Sequence, residues 1–313
     1  MNEAFKNDVD KGLSANPKQL LSKYFYDETG DALFVKIMNM PEYYLTKAEY
    51  EIFTRQAKDI VNAVCADGQP FELIELGAGD GTKTIELLKE MQGKVDFTYL
   101  PIDISGNALT LLEKRLKKEV PDVKVKTLQG DYFSVLGDIK HNSVRKVILF
   151  LGSNIGNMLD QNAGRFIIQL AAQLNAGDKL LLGVDLKKDP AIILPAYNDA
   201  QGITSAFNLN LLTRINKELG GNFDVAKFEH KPCYNEEMGR AESYIVSTED
   251  QDVTIEALGK TYHFDKGENI HMEISRKYDD AAVNAIIEGT GFFIEKKFTD
   301  SKNYFTDYLL TMQ

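Results

Sequence analysis

The chain has 313 residues, 43% hydrophobic and 27% charged, and carries a formal net charge of −11. No apolar run is long enough to span a bilayer, and the opening MNEAFKNDVDKG lacks the charged-then-apolar order of a signal peptide. Acidic and basic residues are mixed along the chain, so no basic face for nucleic acid is visible and a small-molecule substrate is expected. Cys65 and Cys233 fit neither a zinc spacing nor a disulfide framework, and His141, His230, His263 and His271 are scattered. A reducing cytoplasm and no metal are therefore expected.

Lys23 to Lys47 reads KYFYDETGDALFVKIMNMPEYYLTK, rich in tyrosine and phenylalanine. Leu33, Phe34, Ile37 and Met38 predict a helix that Pro41 ends. Thr46 and Glu49 have capping-box spacing, which predicts a helix through Tyr50, Ile52 and Phe53 towards Val64. The adjacent Tyr43 and Tyr44 are hard to bury together, because each hydroxyl needs a partner.

Phe71 to Lys83, FELIELGAGDGTK, is an apolar strand, a turn on Gly77, Gly79 and Gly81, and the start of an amphipathic helix. The pattern is G-x-G-x-G with no following G-K-[ST], which rules out a P-loop. With Glu75 closing the strand and Asp80 in the turn, the site suits an anion poorly. It better suits a nucleoside carrying a cationic group, as in S-adenosylmethionine. NAD(P) stays open, as does a tight turn that binds nothing.

An α/β rhythm follows. A second strand, Phe97 to Ile102, ends at Asp103, and Ser105 caps a helix bearing Leu109, Leu112 and Leu116. A third strand is expected near Val123 to Leu128, before Gly130-Asp131-Tyr132. A fourth, Lys146 to Leu151, runs into a loop at 152–157, and a fifth is Lys179 to Leu186. This reads as a parallel, doubly wound sheet. The rhythm breaks at Asp189-Pro190, residues 191–222 read as helices, and from Lys231 to about Ser275 the pattern turns to strands. The tail from Gly291 reads as strand–turn–strand. The expected domains are 58–188, completed by 279–313, and a second made of 1–57 with 189–278.

Ligands of open α/β sheets bind beyond the carboxyl ends of the strands. Asp103 there can accept both ribose hydroxyls, or else serve only as a helix N-terminal charge beside Ser105. Asp131 and Tyr132 can cover an adenine edge and face, and Asn157 offers a neutral donor and acceptor. Glu273 and Ser275 project to one strand face, where they can hold the N–H groups of a heteroaromatic ring or simply meet solvent.

The ordered set YFYDETG, MPEYYLTKAE, ELGAGDGTKT, PIDIS, GDY, FLGSNIGN, DLKKDP, AYNDAQGITSAFN, FEH, MEISRKY and FTD covers nearly the whole chain. It resembles the S-adenosylmethionine-dependent, histidine-specific N-alpha-methyltransferases, which make the trimethylated betaine hercynine in ergothioneine biosynthesis. The resemblance implies a Rossmann-like class I methyltransferase fold with an added α+β substrate-binding domain. It implies S-adenosylmethionine as cofactor, with contacts at Gly77, Lys83, Asp103, Asp131 and Tyr132. It implies amino-acid contacts at Tyr43, Gly152, Asn157, Tyr197, Thr204, Phe207, Glu273 and Ser275, with Tyr44 the alternative to Tyr43 in the alignment. Asn157, Tyr197 and Tyr43 are then at the carboxylate and amine, Glu273 and Ser275 at the imidazole. Ser243 falls where the family's histidine enzymes carry a methionine. No residue is plainly a dedicated base. A monomeric enzyme is expected; the rivals are a methyltransferase for another amino acid or amine, and a non-catalytic cofactor-binding module.

Overall fold

The computed structural model describes residues 3–130 and 144–313; Asp131 and Tyr132 lie outside the described residues. In chain order the strands are β1 (Lys18–Gln19), β2 (Phe71–Leu76), β3 (Phe97–Asp103), β4 (Lys124–Val125), β5 (Leu128–Gln129), β6 (Arg145–Phe150), β7 (Lys179–Asp185), β8 (Phe228–Asn235), β9 (Arg240–Ser247), β10 (Gln251–Ile255), β11 (Lys260–Phe264), β12 (Asn269–Arg276), β13 (Phe292–Thr299) and β14 (Phe305–Met312). The chain divides into two compact units, Leu45–Lys187 with Lys277–Gln313, and Met1–Tyr44 with Lys188–Arg276. No helix among the described residues is long and apolar enough to cross a membrane.

In the first unit the strand order is β13-β14-β7-β6-β2-β3-β4, with β5 also on β3. β2 is parallel to β3 and β6, and β6 to β7, while β14 lies antiparallel between β7 and β13. The strands are apolar runs because helices cover the sheet: one buried cluster joins Leu73, Val147 and Leu181 to Ile85 and Leu88. The other face joins Ile74, Ile148 and Leu182 to Phe166 and Ile167. Strand order reverses on either side of β2, so the carboxyl ends of β2, β3 and β6 form the crevice where such sheets take ligands.

Three local expectations are corrected. The third strand is two short pieces, β4 and β5, paired with β3, because this edge is exposed and polar at Lys124 and Lys126. The helix expected towards Val64 is two helices, Tyr44–Arg55 and Ala57–Val64, broken at Gln56. The former begins at Tyr44, so Thr46 lies inside it and is no cap. Residues 45–57 belong with the sheet, not with the N-terminal segment, because Ile52 and Phe53 share a core with Ile60 and Val64. Lys277 and Tyr278 also belong here. Lys277 pairs with Asp185 at 2.7 Å, both fully buried, and Tyr278 packs against the Phe166 face.

The second unit packs a four-stranded sheet, β1-β12-β9-β8, and the hairpin β10-β11 against helices. The helix Ile203–Leu219 places Phe207, Leu211 and Ile215 in one core with Phe25, Ile245, Phe264 and Met272. Asp199 starts that helix by accepting the Ile203 and Thr204 amides at 2.9 and 2.8 Å.

Glu75 is one of the charged groups buried in the first unit's core. It is 2% exposed and accepts hydrogen bonds from Thr84 Oγ1 at 2.7 Å and from the Tyr99 hydroxyl. It therefore faces the core rather than adding its charge to the turn. Burial pushes its pKa up to about 7, with Tyr99, Thr84 and Lys83 opposing in part and Glu49 adding to the rise. A raised acid pKa means the folded state holds the proton more tightly. The stability this supplies is complete below the ordinary value of 4.5 and is lost as pH rises to about 7. Urea midpoints of the wild type should fall across that window, and those of Glu75→Gln should fall less. Parallel curves for the two proteins would show that Glu75 does not titrate in the fold.

Candidate functional site

Gly77, Gly79 and Gly81 all have positive φ, at 77°, 54° and 68°, which side chains other than glycine rarely adopt. The Gly77 amide donates to the Ile102 carbonyl at 2.8 Å, so the turn is tied to the end of β3. There Asp103 accepts the Gly79 amide at 3.0 Å and the Ser105 amide at 2.8 Å, one on each carboxyl oxygen. Ser105 in turn caps its helix by accepting the Ala108 amide. Asp103 thus fixes the turn and the next helix together, and each of its oxygens keeps a lone pair for a hydroxyl. A Cβ at Gly79 would meet nothing within 4 Å, so the outer side of the turn is open. Asp80 is exposed and accepts the Thr82 amide and hydroxyl.

Lys83, in the first turn of the helix Thr82–Met91, is ion-paired with Glu49. Glu49 is 1% exposed and its other oxygen accepts the Gly152 amide at 2.7 Å. Burial works against the Lys83 ammonium, but the Glu49 carboxylate outweighs it and the lysine pKa is raised. One carboxylate therefore holds two expected contacts, Lys83 and Gly152. Sequence reasoning took Glu49 for half of a capping box. Its spacing from Thr46 gave that signal, and nothing local marked it as a core acid.

Beyond β6, Gly152 and Ser153 are both left-handed, with φ of 71° and 57°. Two such residues in succession, one of them not glycine, are a costly conformation of the kind that gathers at ligand sites. Ser153 Oγ accepts the Asp185 amide at 3.0 Å, which anchors the bend. Asn157 ends the short helix that follows and is exposed.

In the second unit, Tyr197 and Ser275 come together: the tyrosine hydroxyl donates to Ser275 Oγ at 2.8 Å, with both side chains buried. Glu273 lies on the same face of β12, and Ser243 of β9 stands directly opposite it, 2% exposed. Asn208 Oδ1 and His230 Nε2 are buried without a hydrogen-bond partner, while the Thr204 side chain lies against the Asp199 carboxylate. Burial also pushes the His230 pKa down to about 4, against the pull of Asp199, so the ring is neutral. Asn208 and His230 lie in the AYNDAQGITSAFN and FEH segments that carry the family resemblance, which assigns neither of them a role. Phe207 is a core residue, with ring contacts to Phe25, Tyr26 and Phe34 at 4.9, 5.7 and 5.8 Å. The Tyr44 hydroxyl accepts from Lys188 at 3.0 Å, whereas Tyr43 is half-buried against the core that contains Phe207.

The model of the family described as "Histidine-specific methyltransferase, SAM-dependent" matches residues 5–312. A histidine N-alpha-methyltransferase of Mycobacterium tuberculosis is 36% identical over 96% of this chain and 93% of its own length. That of Mycolicibacterium smegmatis is 36% identical over 95% and 92%. Ergothioneine biosynthesis protein 1 of Schizosaccharomyces pombe is 30% identical over 94% of this chain and 39% of its own length. The sheet order, with its one antiparallel strand between parallel neighbours, is the Rossmann-like methyltransferase arrangement. By sequence along both units and by the fold of its sheet, the chain belongs to the family of S-adenosylmethionine-dependent, histidine-specific methyltransferases.

Proposed function

We propose that this enzyme methylates the α-amino nitrogen of L-histidine, successively, to the trimethylated betaine hercynine, as a step towards an ergothioneine-type product. The observation that carries the reading is the extent of the family match, which includes the second unit as well as the sheet. A shared cofactor fold alone would leave the substrate open.

S-adenosylmethionine, when bound, supplies a methyl group activated by a sulfonium. The residues present suit it. Gly77 and the open side of Gly79 allow close approach of a ligand, Asp103 offers acceptors for ribose hydroxyls, and Lys83 offers a cation for a carboxylate. Asp131 and Tyr132 are proposed for the adenine on their place in the sequence after the third strand and on the resemblance. At the amino-acid end we assign Tyr43, Gly152, Asn157 and Tyr197, and beside the ring Thr204, Phe207, Glu273 and Ser275. The unpartnered Asn208 and His230 atoms favour a polar ligand in this unit. Holding the amine in a near-attack geometry contributes roughly 7–11 kcal/mol to such reactions. We further propose a monomer acting in a reducing cytoplasm, without nucleic-acid or membrane partners. The −11 net charge speaks against a nucleic-acid partner, and the spacing of Cys65 and Cys233, which gives no disulfide framework, suits a reducing compartment.

A second reading has one specific observation behind it. Ser243, buried and opposite Glu273, is a small polar group beside the assigned ring contact, which would admit a larger side chain than imidazole. An N-methyltransferase for another amino acid would keep every other assignment.

Four outcomes are expected. Asp103→Ala should weaken S-adenosylhomocysteine binding strongly in calorimetry, because it removes both the ribose acceptors and the turn's anchor; unchanged affinity would remove Asp103 from the site. Asn157→Ala should slow turnover of every accepted amino acid, since it acts on groups they share, and a loss confined to one side-chain type would contradict that role. In equimolar competition among histidine, tryptophan, tyrosine and phenylalanine, mass spectrometry should find the histidine betaine. A ring without a donor forfeits a hydrogen bond to the charged Glu273 carboxylate, worth about 1.5–3 kcal/mol, roughly a tenfold to hundredfold preference. Glu273→Ala should therefore raise the histidine concentration needed and relax rejection of phenylalanine. A trimethylated product from another amino acid, with histidine untouched, would sink the histidine assignment and leave the methyltransferase standing.

A further inference from the structure

Asp307 lies on β14 with no exposure; no ordinary donor among the described residues reaches its carboxyl oxygens, and the group it meets within hydrogen-bonding reach is the Glu49 carboxyl. An ionised carboxylate in that position carries a large desolvation cost. Opposite it on β7 is Gly183, where a Cβ would stand 2.5 Å from Glu49 Oε1 and 2.8 Å from Asp307 Oδ1. Two carboxyl groups therefore crowd one glycine, and only glycine leaves room for them.

The groups around the pair are few. From the helix Tyr44–Arg55 comes Glu49, and from the helix Thr82–Met91 comes Lys83. Glu75 of β2 acts on Lys83 as well. Along β7, Asp185 is already matched by Lys277, and the residue of β13 opposite Asp307 is Phe298, which is uncharged. A single lysine against two adjoining carboxyl groups leaves room for one negative charge on them.

We propose that Asp307 is held as the neutral acid and donates its proton to Glu49, making it a proton-dependent positioning residue for Lys83 and the Gly152 amide. Burial, then the Glu49 charge, hold the Asp307 carboxyl well above its ordinary range, and Lys83 opposes them only in part. The contribution of this proton to stability is complete below the ordinary value of 3.8 and is lost as pH rises through the folded value. With the proton in place, Glu49 is pinned by a donor as well as by its cation, and so is the ammonium it carries. The inference rests on the reading of Lys83 as a cofactor contact.

Two measurements on the full-length protein test it. At neutral pH, the infrared spectrum of the wild type should contain the carbonyl stretch of a protonated carboxyl group that Asp307→Asn lacks. In calorimetry with S-adenosylhomocysteine, Asp307→Ala should bind roughly tenfold more weakly, as expected for a lost hydrogen bond to a charged group. Asp307→Asn keeps a donor and should restore most of that affinity. If the alanine variant does not fold, Asp307→Leu serves as the donor-free protein of closer volume. Identical infrared spectra for wild type and Asp307→Asn would overturn the proposal, as would an asparagine variant binding no better than the donor-free one. Failure of the cofactor reading looks different: Lys83→Met would bind S-adenosylhomocysteine as the wild type does, with the infrared difference at Asp307 intact.

Discussion

A carboxylate taken out of water must be matched by charge and hydrogen bonds, and the one on Glu49 sets much of the geometry of the sheet unit. It is 1% exposed, so Lys83 and the Gly152 amide must both come to it. Lys83 belongs to the helix that leaves the glycine turn, and Gly152 follows β6. Gly183 exists as glycine because Glu49 and Asp307 occupy the space a side chain would fill. The same requirement explains why residues 45–57 belong to the sheet unit: the helix that carries Glu49 also inserts Ile52 and Phe53 into its core.

Asp103 performs a parallel task one strand away. Its two oxygens accept amides from the glycine turn and from the start of the next helix, which fixes both at the carboxyl end of β3. Holding the turn and offering acceptors to a nucleoside are not competing uses, since a carboxylate has about four lone-pair directions. The turn was expected to repel anions partly through Glu75. That group instead faces inward to Tyr99 and Thr84, so the acidic charge left at the turn is that of Asp80 and Asp103, with the Arg115 guanidinium 3.7 Å from Asp80.

The second unit is built differently. Its polar atoms sit on a sheet face and on the helix Ile203–Leu219, around a core of aromatic and aliphatic groups. Several remain without partners while buried, as groups that await a polar ligand would. The cross-strand register, which sets Ser243 against Glu273, brings the one departure from the family pattern beside the residue assigned to the ring.

What could be read from the sequence alone was whatever depends on neighbours along the chain. The glycine turn, the apolar strands β2, β3, β6 and β7, the Ser105 cap and the break before Pro190 are local patterns, and each stands where its pattern put it. The family resemblance extended that reading to Lys83, Asp103, Tyr197 and Ser275 as named positions, without saying what held them. Tertiary structure decided the rest. Glu49 and Asp307 are 258 positions apart and Glu49 and Gly183 are 134, so their crowding has no local signature. A capping-box spacing was the strongest cue Glu49 offered, and it pointed the wrong way. Whether an acid caps a helix or lies in a core is set by what packs over it, and that is known only once distant strands and helices have met.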